Sequence, residues 1–235
     1  MGDTSIIMNY DIFNIFPTTI YVGEIENHKK YKKDFYKIYP KYDYEDDGKN
    51  TTVSENVGKP LLHLEDSLNP LFDDIIGHVK AYAHDVLQFK EIFNFVITKT
   101  WLSRHRDSRS IPWHIHATSH IAFVYYVNTP PNSHKLNFSN PHGKNSLWFG
   151  NKEGKEDHLK MIEEYNHMNA DTFYIHPPEG NVALFPSTLQ HSTESIEGFV
   201  GERMAIVGDI SVVLKEEYLH YSTGYINPKY WKIYT

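Results

Sequence analysis

The 235-residue chain contains no cysteine. Disulfides, thiolate zinc sites, iron–sulfur clusters and cysteine nucleophiles are therefore excluded. Any metal must be held by His, Asp, Glu or neutral oxygen donors, a set that suits a harder ion such as Fe(II) or Mn(II). The chain also lacks any apolar run close to the ~20 residues of a membrane span. Its first residues, "MGDTSIIMNYDIF", show no basic stretch followed by an apolar one, and Ser5 and Ile6 match the myristoylation pattern poorly. A soluble, cytoplasmic protein without a membrane partner is expected. An excess of positive charge is missing as well: the formal net charge is −7. An acidic chain offers no general attraction for nucleic acid, so that partner is not expected.

What is present is ordinary in bulk and unusual in detail. Hydrophobic residues make up 40% and charged residues 23%, as in most globular proteins. Aromatics reach 14%, with 17 Tyr and 13 Phe, which favours strands. There are 15 histidines. No internal repeat or low-complexity linker divides the chain.

Pro17 sits inside the β-branched and aromatic run 12–25, which reads as a strand near a sheet edge. Residues 28–39 read as a helix and 42–60 as a polar loop. The clearest helix lies within 64–89, where Leu71, Phe72, Ile75, Ile76, Val79, Tyr82, Ala83 and Val86 recur at spacings of three and four. Ser67 or Asn69 is its expected cap, with Pro70 in the first turn. From Phe93 the texture changes to short strand-like runs at 93–105, 120–128, 134–140, 172–177, 181–187 and 203–214. Six short strands at this spacing suggest a sandwich or barrel. The expectation is one α+β domain over 1–235: helical support about 26–92, a β core about 93–214 and a C-terminal extension 215–235.

His114 and His116 stand at i and i+2 at the expected start of a strand, so both rings face one side. Neutral imidazole is a common metal ligand, and two on one face make a platform for an ion. His120 is a supporting residue or a substrate contact. His191 follows "VALFPSTLQ", where a strand ends at a Pro-Ser turn, and is a candidate third ligand from a distant strand. Such a three-ligand site leaves positions open for substrate and oxygen. Arg203 opens the last strand and offers a planar fork for a carboxylate; the bland alternative is a surface arginine paired with Glu197 or Glu202. Tyr126 shares the parity of Val124 and His116. His105-Arg106-Asp107 is a literal H-x-D and a competing first ligand pair.

Together these residues resemble the Fe(II)- and 2-oxoglutarate-dependent oxygenases, and most nearly those of marine bacteria and phages. The resemblance runs through "IFPTTIYVGEI", Trp101-Leu102-Ser103, the His114–Ser119 stretch, "VYYV" at 124–127, Leu136-Asn137-Phe138, "PEGNVALFPS" at 178–187, His191 and Glu202-Arg203. It implies a double-stranded β-helix (jelly-roll, cupin-like) core. It implies Fe(II) on His114, His116 and His191, and 2-oxoglutarate held through its distal carboxylate by Arg203 and Tyr126. It implies hydroxylation of a C–H bond with release of succinate and carbon dioxide, and no catalytic side chain beyond the metal centre. Three departures stand out. His116 replaces the carboxylate usual in the wider superfamily. Ala122-Phe123 replaces a usual Ser-Gly, so a bulky ring enters that strand. "AIVGDISVV" replaces the family's usual ending in Asn, a change expected to alter substrate contacts.

Trp113 precedes the ligand pair, and Trp148 lies in a long polar insertion, 142–169. Long connections are often active-site lids, so both tryptophans are candidates for a substrate wall or, equally, for packing. The expected partner is a small molecule or a peptide or protein substrate, and a homodimer is left open. Two other functions remain in play: a three-histidine cupin-type dioxygenase that uses no 2-oxoglutarate, and a non-catalytic jelly-roll binding module.

Overall fold

The computed structural model describes residues 17–39, 52–53, 62–106, 108, 110–141, 163–164, 166–221, 227–232 and 234. Two helices precede most of the strands. Helix α1 (His28–Ile38) buries Tyr31, Phe35 and Ile38, spaced at four and three, and turns its lysines outward. Helix α2 (Asn69–Lys80) continues through a wider π-type turn, Ala81–Val86. Leu71, Phe72, Ile75, Val79, Tyr82 and Ala83 are buried, whereas Val86 is exposed. The expected cap is absent. Leu68 holds the N-cap position with no side-chain hydrogen bond, and Asn69 is already helical. Pro70 in the first turn does the pre-organising, because its missing N–H would lack a helical partner there anyway.

Nine strands follow the chain as β1 (Tyr21–Glu24), β2 (Thr52–Val53), β3 (Phe93–His105), β4 (Ile121–Asn128), β5 (Leu136–Ser139), β6 (Thr172–Ile175), β7 (Asn181–Pro186), β8 (His191–Thr193) and β9 (Arg203–Leu214). They form a six-stranded sheet in the order β1-β7-β4-β9-β3-β2 and a three-stranded sheet in the order β6-β5-β8, with every pairing antiparallel. This is a jelly roll. β1 lies at the sheet edge, as Pro17 just before it suggests. Of the polar stretch 42–60, only the two-residue β2 lies within the described residues. β8, three residues long, is too short to carry a periodic signal in the sequence.

β4 shows how the core is divided. Ile121, Phe123, Tyr125 and Val127 pack with the helices, while Ala122, Val124 and Tyr126 face the barrel interior. The side-chain period of two sends alternate residues to opposite faces. Because β4 is central, both faces are buried. Burying a side chain of this kind contributes about 1.5–3 kcal/mol. The interior also receives Trp101, Leu136, Phe138, Ala183, Phe185, Ala205 and Val207. Phe123 does not crowd that interior. It points to the helices, edge-on to Phe72 at 6.5 Å. Its register partner on β9 is Gly208, where an added Cβ would lie 2.3 Å from the Phe123 ring. The bulky ring on β4 is thus matched by a missing side chain on β9.

No helix among the described residues is long and apolar enough to cross a membrane.

Candidate metal centre

His114 and His116 precede β4 in an extended segment rather than opening it. The segment joins the smaller sheet through one bridge: His114 and His191 exchange both backbone hydrogen bonds at 3.0 Å. The His116 N–H donates to Ser187 O at 2.8 Å, just past the end of β7. The i, i+2 spacing still places both rings on one side, stacked with centroids 5.3 Å apart. The His191 ring lies 4.2 Å from that of His114 and 4.9 Å from that of His116. Ligand atoms of the three residues all fall within 4.8 Å of one another, a spacing that can hold a metal ion.

The tautomers agree with that use. His114 Nδ1 donates to Pro112 O at 2.8 Å, His191 Nδ1 to Leu189 O at 2.8 Å and His116 Nδ1 to a carboxylate oxygen of Asp209 at 2.6 Å. Each acceptor offers no proton, so each ring carries a hydrogen on Nδ1, which leaves Nε2 as the nitrogen that can bind a metal when the ring is neutral. Such an outward bond fixes the orientation and tautomer of a ligating histidine. Burial pushes His191 down to about 3, and His114 and His116 beside it act in the same direction, against the Leu189 hydrogen bond. An imidazole so held is neutral and competent to bind a metal at physiological pH.

A second group of polar residues lies further into the barrel. Arg203 is 2% exposed, and no acidic side chain pairs with it among the described residues. Glu202, the expected surface partner, instead accepts from Arg106 at 2.6 Å. The guanidinium lies over the Tyr126 ring at 5.1 Å, and Nη1 is 3.4 Å from His105 Nδ1. Arg203 Nε and the Tyr126 hydroxyl are buried and meet no partner in hydrogen-bond geometry among the described residues. Burial pushes the tyrosine pKa up and the arginine pKa down, and their proximity opposes both shifts. A cation buried without an anion costs several kcal/mol, so this pocket calls for an anionic ligand. It adjoins the histidines through β8. His191 and Thr193 share one face of that strand, and Thr193 Oγ1 accepts from His105 Nε2 at 3.0 Å. Three imidazole nitrogen donors beside a guanidinium that meets no acidic side chain among the described residues fit Fe(II) and a dicarboxylate co-substrate.

The remaining sequence candidates separate. His105 packs against Arg203 and against His134, with ring centroids 4.4 Å apart in the latter case, and is not among the three clustered histidines. Asp107, its H-x-D partner, lies outside the described residues, as does Trp148. Trp113 is 44% exposed beside His114. The His120 Nδ1 accepts from Val212 N at 3.1 Å, and the His120 backbone N–H donates to Ile210 O at 2.9 Å, so this residue fastens the start of β4 to β9. Burial lowers its pKa, consistent with a neutral acceptor. Asp209, which the sequence did not single out, is 5% exposed and bonded to His116. Strand parity held the signal: Arg203, Ala205, Val207 and Asp209 alternate with Met204, Ile206 and Ile210, so Asp209 shares the inward face of Arg203.

Residues 99–209, which build this centre, match the family model described as "Putative 2OG-Fe(II) oxygenase". That segment of the chain is similar to this family. It covers a little under half of the 235 residues and includes the three histidines, Tyr126 and Arg203. The family's cofactors are Fe(II) and 2-oxoglutarate. Solved structures agree in fold. HygX from Streptomyces hygroscopicus, with nickel, 2-oxoglutarate and hygromycin B bound, is 12% identical, with a TM-score of 0.51 over 89% of this chain and 92% of that one. A prolyl hydroxylase from Trichoplax adhaerens, in complex with a hypoxia inducible factor peptide, is 11% identical, with a TM-score of 0.51 over 87% of each chain. A Pseudomonas putida prolyl-4-hydroxylase is 8% identical, with a TM-score of 0.50 over 83% of this chain and 92% of that one. Identities this low establish a shared double-stranded β-helix and nothing finer. No curated protein matches the chain.

Proposed function

We propose that this chain is a 2OG-Fe(II) oxygenase that holds Fe(II) on His114, His116 and His191 and receives the distal carboxylate of 2-oxoglutarate at Arg203 and Tyr126. The carrying observation is the buried guanidinium of Arg203, which meets no carboxylate among the described residues, beside three histidines whose ligand atoms lie within 4.8 Å of one another. A three-histidine dioxygenase without a keto-acid would have no use for that cation. Bound there, the metal and co-substrate supply oxygen-dependent hydroxylation of a C–H bond: one O2 yields the alcohol, succinate and carbon dioxide.

The chain's own residues bind, orient and exclude water. The Nδ1 hydrogen bonds of His114, His116 and His191 hold the three rings toward one point. The Arg203 fork orients a carboxylate, and the Tyr126 hydroxyl adds a donor. The apolar interior around Ala122, Val124, Ala183, Phe185 and Ala205 keeps the pocket dry and leaves space, because three of those side chains are a single methyl. Low local dielectric strengthens the ion pair that forms there. Trp113 and Ile115, 44% and 48% exposed on either side of His114, form the rim that meets a small molecule or peptide. The chain works as one oxygenase domain, with the helices of residues 26–92 supporting the core.

The test is an anaerobic titration of the Fe(II) protein with 2-oxoglutarate, followed by admission of oxygen. A visible metal-to-ligand band and stoichiometric succinate are expected. Stoichiometric iron with no response to 2-oxoglutarate would overturn the reading.

A further inference from the structure

The negative charge missing from the ligand set is present one hydrogen bond further out. His116 stands where the wider superfamily has a carboxylate ligand, and its Nδ1–H donates to Asp209 Oδ1 at 2.6 Å. Both side chains are nearly closed to water, 6% and 8% exposed. Asp209 is held by more than His116: the Ser119 hydroxyl donates to the same oxygen at 3.1 Å, and Thr98 Oγ1 donates to the Asp209 backbone carbonyl at 3.3 Å. The Trp101 ring, 5.2 Å from that of His116, closes another side. The geometry points to Asp209 as a positioning residue for the metal, which sets the orientation of His116, strengthens its Nε2 as a donor and restores the charge that a ligand carboxylate would bring.

This inference rests on His114, His116 and His191 being the iron ligands. Its physical basis is the carboxylate–histidine–metal relay. A ligating imidazole that donates its other N–H to a carboxylate is a more basic ligand, and losing such a partner typically weakens metal affinity about 10–100-fold. Bonds with an ionised acceptor are roughly twice as strong as neutral ones, and low exposure keeps water from screening this one. A purely architectural Asp209 would tie the segment before β4 to β9 and do nothing more. Substitution by Asn separates the two roles, because the amide oxygen still accepts from His116 but carries no charge.

The experiment measures Co(II) affinity by chelator competition and records ligand-field absorption, with thermal melting as the folding check. Asp209→Asn is expected to weaken Co(II) about 10-fold or more, to shift the ligand-field bands and to leave the melting temperature within a few degrees of wild type. In a His116→Asp background the sign reverses: Asp209→Asn relieves two adjacent carboxylates and tightens the metal. Unchanged affinity and spectrum in Asp209→Asn would overturn the inference, as would an equal loss in both backgrounds. Failure of the wild-type chain to bind Co(II) would instead sink the ligand assignment beneath it.

Discussion

Replacing Arg203 by Met should make the protein more stable and its co-substrate binding much weaker. Arg203 is 2% exposed, and no carboxylate opposes it among the described residues. Exchanging buried charge for apolar volume is worth roughly 1–4 kcal/mol where it has been tried. Against that stands the contact with Tyr126 at 5.1 Å, an interaction worth about 0.5–2 kcal/mol when desolvated. The 3.4 Å approach to His105 Nδ1 is at the limit of a hydrogen bond and adds little. The net expectation is a gain of about 1–2 kcal/mol, or roughly 2–8 °C in melting temperature for a chain of this size. Binding moves the other way. Two hydrogen bonds to a charged group are worth about 3–6 kcal/mol in total, which corresponds to a loss of roughly 100–10,000-fold in 2-oxoglutarate affinity. Arg203→Lys keeps the charge but not the fork and should fall between wild type and Met. Differential scanning fluorimetry without ligand and anaerobic titration with 2-oxoglutarate read the two effects independently. A variant that melts well below wild type yet binds 2-oxoglutarate normally would refute the reasoning, because the guanidinium would then be structural.

Gly208→Ala should cost about 1–3 kcal/mol by overpacking, since its Cβ would meet both the Phe123 ring and Lys99 O, the latter at 2.8 Å. Phe123→Leu should recover part of that loss in urea unfolding. The metal-free protein should lose stability as pH falls from about 6.5 toward 3, because His191 is held neutral when folded and protonates first in the unfolded chain. Above 6.5 that contribution is fully present; a His191→Leu variant should show a flatter melting profile across the same window. His120→Leu should destabilise by about 1–3 kcal/mol, through the Val212 N–H left without its acceptor. Its Co(II) affinity should stay at the wild-type value. A large affinity loss would place His120 at the metal instead.

Periodicity made the scaffold legible. The spacing from Leu71 to Ala83 located α2, and alternation located the long strands β3, β4 and β9 to within a residue. The spacing of His114 and His116 put their rings on one side even though the segment is not a strand, because extended backbone alternates with or without a sheet partner. What the sequence concealed were relations across neighbours. Phe123 read as an intrusion until its register with Gly208 was known. His105 read as a rival ligand until β3 placed it beside Arg203.

Local rules and residue chemistry therefore determined the element types, the cysteine-free donor set, the side-by-side pair His114 and His116, and the ordered array ending in His191 and Arg203. Only the tertiary structure decided which histidines converge, that Arg203 is buried with no acidic side chain against it among the described residues, and that Asp209 answers His116 across 93 residues of chain. The reason is physical. Side-chain periodicity is set by backbone geometry within a few residues, whereas ligand convergence and charge balance depend on strand register and packing between segments far apart in sequence.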